Sequence, residues 1–169
     1  MSRALYLNET IDEEATFNVI KEIHEINNED DGLSYREPID FWLSTQGGSI
    51  AVALSLCDII RLSVTPINII ATGRCYSAGI PILASGHTRC ATRNTTFMIH
   101  QGSSEVEGYL QNIKTEVIFI SLLDRLCDRI VTNYTKITQS ELDAIYKTGN
   151  EFHFDCKKAK SWGLINKIL

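Results

Sequence analysis

The sequence predicts an α/β fold with a largely parallel sheet, and three observations carry that expectation. Apolar stretches of strand length at Ala4 to Leu7, Ile39 to Leu43 and Ile67 to Ala71 are each followed by a segment with helical apolar spacing. A β-α unit repeated three times favours parallel strands joined by crossover helices. No linker, internal repeat or low-complexity stretch interrupts the 169 residues, a length that suits one domain, 1–169, with a real hydrophobic core.

Ala4 to Leu7 is the first short apolar strand. Thr10-Ile11-Asp12-Glu13 reads as a capping box, with Glu13 three residues after Thr10. It opens an amphipathic helix over 11–27, with Phe17, Ile20 and Ile23 at helical spacing. Asn27 to Gly32 is expected to be a solvated polar loop, since its acidic cluster lacks the spacing of a calcium loop. Ile39 to Leu43 is the second strand, Ser44 to Ser49 a turn, and Ser49 to about Leu62 the second helix. Val64-Thr65-Pro66 connects to a strand over 67–72, and Ile80 to Ala84 reads as a short apolar helix.

Beyond it, Arg89 to Thr92 and Thr96 to His100 have strand character, and Gln101 to Gly108 is polar. A long helix is expected over 109–133. It is apolar on more than one face (Ile113, Val117, Ile118, Leu122, Ile130), which predicts burial against another subunit. Thr138 to Glu141 forms another capping box, opening a helix to about Lys147. Gly149 to Phe154 is a loop or short strand. Asp155 caps a last helix that Gly163 ends, and Leu164 to Leu169 is a closing strand.

Composition removes several function classes. Hydrophobic residues make up 44% and charged residues 22%, the balance of a soluble globular chain. The net charge of −5, with no basic block, argues against nucleic acid as the main partner. No apolar run approaches the roughly 20 residues of a membrane helix, so no membrane partner is expected. The first residues enter a strand pattern directly, without a secretion signal. Five cysteines, odd in number and without a CxxC pair, read as free thiols in a reducing cytoplasm. Neither a zinc site nor a disulfide framework is expected.

Chemistry is concentrated in Gly73-Arg74-Cys75-Tyr76-Ser77-Ala78-Gly79, between a buried strand and a short helix. Ser77 is either the N-cap of that helix or a nucleophile held on a fixed turn near unpaired N–H groups. Gly47-Gly48, between another strand and helix, is either a tight turn that needs positive φ or a backbone donor aimed at a ligand oxygen. No Lys-Ser/Thr follows, so it is not a Walker loop. His100, at a strand end, is either a hydrogen-bonded structural residue or a base. Cys75 is a rival nucleophile, but it would have to point to the wrong side of the turn.

Four separated stretches together resemble one family. Leu43 to Ser49, Gly73 to Gly79, Phe97-Met98-Ile99-His100-Gln101, and Glu151 ahead of Ala159 to Asn166 are similar, in order and interval, to the Clp proteolytic subunit (ClpP) family. The resemblance covers nearly the whole chain. It implies a ClpP/crotonase-like fold with a protruding handle, about 102–133. It further implies a serine endopeptidase that hydrolyses unfolded polypeptides or short peptides. Such subunits stack as heptameric rings around a closed chamber, as a tetradecamer or in mixed rings, fed by an AAA+ unfoldase of the Clp type. ATP is then used by the unfoldase, and this chain needs no cofactor. Residue by residue, Ser77 falls on the nucleophile, His100 on the general base, Glu151 on the carboxylate that orients it, and the N–H groups of Gly48 and Ala78 on the oxyanion hole.

The departures matter too. Glu151 stands where the family usually has aspartate. Asn150 replaces an arginine used between rings, Gln46 a proline, and Ala78 a methionine. The chain opens at the first strand, so the family's axial-gate segment is expected to have no counterpart. Two rivals follow: a noncatalytic or regulatory ring subunit of the same fold, and a crotonase-type acyl-CoA enzyme, for which the chain is short. A serine-lysine dyad lacks a lysine in a matching motif.

Overall fold

In the computed structural model, residues 3–103 and 107–169 are described. Part of the polar stretch and of the handle expected from about residue 102, namely 104–106, lies outside them. The architecture is the expected one: helices on a mostly parallel sheet. The described residues form seven strands, β1 (Ala4–Leu7), β2 (Ile39–Thr45), β3 (Ile67–Tyr76), β4 (Thr88–Ala91), β5 (Thr96–Ile99), β6 (Phe152–Asp155) and β7 (Lys167–Ile168), and six helices. These are α1 (Glu13–Glu29), α2 (Ile50–Leu62), α3 (Gly79–Ser85), α4 (Leu110–Tyr134), α5 (Gln139–Tyr146) and α6 (Cys156–Ser161).

The main path through the sheet is β1-β2-β3-β4-β7, all parallel; β5 pairs parallel with β3 and antiparallel with β6. Leu5, Leu7, Phe41, Leu43, Ile67, Ile69 and Ala71 project from one sheet face into a core closed by Ile23, Leu56 and Ile60 from α1 and α2. Their alternation with half-exposed neighbours along β2 is the period-two pattern of a strand covered on one face.

β3 runs four residues beyond the expected 67–72. Leu43 pairs with Ala71 but Thr45 with Cys75, so β3 carries two extra residues there. Gly73, at φ 65°, absorbs them as a bulge and does not end the strand. The bulge lets one strand serve two partners: Asn68 to Ala71 pair with β4, and Arg74 to Tyr76 pair with β5. β5 is thereby brought beside the turn that follows Tyr76.

Other elements differ in detail. The N-cap of α1 is Asp12, whose carboxylate accepts from Ala15 N at 2.8 Å; Thr10 instead accepts from Gln46 Nε2 at 2.9 Å. Phe17 faces solvent, while Thr16, Val19 and Ile23 form the buried stripe. The acidic loop is not wholly solvated. Asp30 is fully buried, held by both Arg3 guanidinium nitrogens at 2.5 and 2.8 Å and by Thr65 Oγ1 at 2.6 Å. The Thr138–Glu141 capping box is present in both directions, and Asp155 caps α6. Residues 152–155 are a strand, and the closing strand shrinks to Lys167–Ile168.

Within α4, Asp128 and Val131 are buried, whereas Leu110, Val117, Ile118, Phe119 and Leu122 are exposed. These exposed apolar residues lie in its N-terminal half and are uncovered in the single chain.

Candidate active site

Ser77 follows β3 directly and is the only non-glycine residue with positive φ, 53°, among those described. Three contacts hold that strained turn. Ser77 N donates to Met98 O of β5 at 2.9 Å, Ile80 N donates to Ser77 O at 2.9 Å, and Gly47 packs on the side chain. A Cβ on Gly47 would lie 2.7 Å from Ser77 Cβ and 3.1 Å from its Oγ. Ser77 is not the helix cap. Ala78 occupies the N-cap of α3, with no side-chain capping bond, so the Ser77 hydroxyl is free for another partner. That partner is His100, one residue past β5: Ser77 Oγ and His100 Nε2 are 2.7 Å apart. For Nε2 to accept the hydroxyl proton, the ring must carry its own proton on Nδ1.

Gly48, at φ 150°, sits against Ile11, where a Cβ would lie 2.3 Å from the Ile11 carbonyl oxygen. Ile11 N donates to Gly47 O at 2.9 Å and Ser49 N to Ile11 O at 2.8 Å, so this crossing pins the diglycine turn. The N–H groups of Gly48 and Ala78 make no hydrogen bond to another described residue. Gly48, Ser77, His100, Glu151 and His153 line one open cleft of about 530 Å³. A smaller cavity of about 40 Å³ adjoins it, with Ser77 and His100 at its edge and Ile80, Pro81, Ile99 and Val131 among its walls.

Glu151 lines the cleft but makes no hydrogen bond to His100. The β5–β6 register pairs Met98 with His153 and Ile99 with Phe152, so one further step sets Glu151 opposite His100. The hydrogen bond its carboxylate makes among the described residues is to His153 Nε2, at 3.0 Å. The serine and histidine named from the sequence are therefore hydrogen-bonded, and the carboxylate is beside them with another partner. Cys75 is fully buried under Gly79, and burial pushes its thiol well above the usual range. That removes it as a rival nucleophile.

Two carboxylates escaped the sequence reading. Asp124 Oδ1 accepts from Gly102 N at 3.1 Å beside the small cavity, and burial raises its pKa. Asp128 is buried, accepting from Tyr146 Oη at 2.7 Å and Gln139 Nε2 at 2.8 Å. Their spacing of four, with Val131 three residues further on, puts both on the face of α4 that buries Asp128 and Val131. No helix among the described residues is long and apolar enough to cross a membrane.

Comparison with known proteins adds an independent line. A family model described as Clp protease matches residues 1–169. The chain is 27% identical over 169 residues to the ATP-dependent Clp protease proteolytic subunit 2 of Pseudomonas aeruginosa, covering 99% of this chain and 81% of that one. It is 26% identical over 172 residues to an ATP-dependent Clp protease proteolytic subunit of Cyanophora paradoxa, covering 99% and 84%. Among solved structures, a ClpP1 mutant from Listeria monocytogenes superposes with a TM-score of 0.86 at 22% identity, over 99% of this chain and 91% of that chain.

Proposed function

The chain belongs to the Clp protease family, and from that premise we propose that it is a serine endopeptidase subunit of a chambered, ATP-dependent protease. The observation that carries this reading is the 2.7 Å contact between Ser77 Oγ and His100 Nε2, on a serine held at positive φ. A serine hydroxyl is a weak nucleophile near neutral pH, and it gains force when an adjacent imidazole accepts its proton during attack.

In the proposed reaction, Ser77 Oγ attacks the scissile carbonyl carbon while His100 Nε2 takes the hydroxyl proton. The carbonyl oxygen becomes an oxyanion, received by the N–H groups of Gly48 and Ala78. His100 then returns the proton to the leaving amine, and an ester to Ser77 remains. Water, deprotonated by His100, hydrolyses that ester and restores the hydroxyl. Glu151 steadies the imidazole through Nδ1–H once its carboxylate turns to that ring. The side chain preceding the scissile bond enters the small cavity, whose apolar walls favour a small aliphatic group.

The same reading assigns α4 to contacts between subunits. Exposed Val117, Ile118, Phe119 and Leu122 supply apolar surface for a heptameric ring, paired as a tetradecamer or mixed with related subunits. An AAA+ unfoldase of the Clp type delivers polypeptide and uses the ATP; the peptidase chain requires no cofactor. The setting proposed is the cytoplasm.

The test is hydrolysis of a short fluorogenic peptide by the purified assembly and by Ser77→Ala. The reading expects the variant to lose turnover by about 10⁴-fold or more, to the level that binding and oxyanion donors alone sustain. Persistent turnover in Ser77→Ala contradicts it. One observation favours a second reading, a noncatalytic ring subunit: the carboxylate that should serve His100 is paired with His153. Wild-type assembly with no turnover above the Ser77→Ala level supports that alternative.

A further inference from the structure

The β5–β6 ladder gives Glu151 two imidazoles within reach. Side chains alternate across a strand, so Glu151 and His153 share one face of β6, and the cross-strand positions Met98 and His100 share that face with them. Glu151 therefore has His153 as its neighbour along the strand and His100 as its neighbour across it. The structure holds it on the first of these, at 3.0 Å from Nε2. The Glu151 side chain is exposed, so little packing opposes a change of rotamer.

His153, though half exposed, has an aromatic neighbour. Its ring meets the edge of Tyr76 with centroids 5.5 Å apart and planes at 84°. Tyr76 Oη is itself bonded to Thr96 Oγ1 at 2.8 Å. Tyr76 is also the residue before Ser77, so the competing imidazole is anchored to the same turn that presents the hydroxyl.

We infer that His153 is a positioning residue for the proposed reaction: it competes with His100 for the Glu151 carboxylate and sets the fraction of molecules whose base is supported. This rests on the peptidase reading and adds a control within that site. A shift in a two-state population needs only a difference in partner strength, and one exposed hydrogen bond or ion pair supplies a change on the order of two- to fivefold.

The test compares the full-length assembly with His153→Phe, His153→Gln, Glu151→Gln and the double variant His153→Phe/Glu151→Gln. Phenylalanine keeps a ring against Tyr76 but offers no donor, so kcat should rise about two- to fivefold with KM unchanged. Glutamine retains a donor to the carboxylate, so His153→Gln should keep kcat near the wild-type value. In the Glu151→Gln background the His153→Phe change should have no effect. A rise in kcat that persists with Glu151→Gln, or an unchanged kcat in His153→Phe of an active enzyme, overturns the inference.

A second readout does not depend on turnover. The His153 ring resonances, followed by NMR in the catalytically silent Ser77→Ala protein, should move when Glu151→Gln is added, because the carboxylate bonded to Nε2 is lost. Unmoved resonances overturn the inference even if the enzyme is active. Absent wild-type turnover together with moved His153 resonances instead refutes the peptidase reading while the contact itself stands.

Discussion

Gly47 and Ser77 are packed so closely that a Cβ on the glycine would lie 2.7 Å from the Cβ of the serine. The glycine has φ 103° and the serine φ 53°, so two strained turns from different β-α units lean on each other. Gly47→Ala adds a methyl where there is no room and a side chain at a φ that disfavours one. We expect a loss of about 1–3 kcal/mol in stability and a fall of about 100-fold in kcat/KM as the hydroxyl is displaced by a fraction of an ångström or more. Thermal unfolding and peptide kinetics on the same preparation check both. Hydrolysis at the wild-type rate would show that this contact does not set the position of Ser77.

The small cavity beside Ser77 predicts a preference among peptides. It has a volume of about 40 Å³ and apolar walls that include Ile80, Pro81, Ile99 and Val131. A peptide with alanine before the scissile bond should be cut with a kcat/KM at least about tenfold above that of its lysine or tryptophan counterpart. A panel differing at that one residue measures the order. Faster cleavage after lysine would mean that the Asp124 carboxylate, and not the apolar wall, governs selection.

Acid should weaken the fold through Asp30. The Arg3 guanidinium, then the Thr65 hydroxyl, hold its carboxyl below the usual carboxylate range. A carboxyl depressed in the folded state binds its proton more readily when unfolded. Its contribution is complete above the unfolded value of about 3.9 and is lost as pH falls through the folded one. Asp30→Asn should therefore lower the melting temperature at pH 7 and show a flatter decline below about pH 4 than the wild type. Melting temperatures across pH 2 to 7 give the comparison; parallel curves would remove Asp30 from acid unfolding.

The exposed apolar residues of α4 predict how the protein assembles. Replacing Ile118 and Leu122 together by aspartate introduces charges where a partner should cover apolar side chains. Native mass spectrometry should show the wild type as a ring or a pair of rings and the double variant as smaller species. If the double variant assembles as the wild type does, that face of α4 is not a subunit contact.

The parallel β-α units were legible because apolar runs such as Ile39 to Leu43 and helices such as Ser49 to Leu62 carry distinct periods. Ser77 and His100 could be named, but their 2.7 Å contact could not be read from spacing. It depends on the bulge at Gly73, which extends β3 to reach β5, and a glycine after an apolar run signals a strand end as readily as a bulge. Asp12 took the α1 cap from Thr10 because both residues, two apart, favour that role, and only the tertiary crossing of Ile11 with Gly47 and Ser49 decides between them. Glu151 was named as the carboxylate that orients His100 through the family resemblance alone, while its bond to His153 follows from an antiparallel strand that read as loop or short strand. Asp124 and Asp128 were missed because the apolar pattern of α4 dominated its reading.

The most direct test of the central claim, that His100 activates Ser77 as the nucleophile, is labelling with a fluorophosphonate followed by intact-mass and peptide mass spectrometry. The account predicts one adduct per chain, on the peptide containing Ser77, formed at least about 100-fold more slowly in His100→Ala and not at all in Ser77→Ala. An adduct on another residue, or labelling of His100→Ala at the wild-type rate, would contradict it.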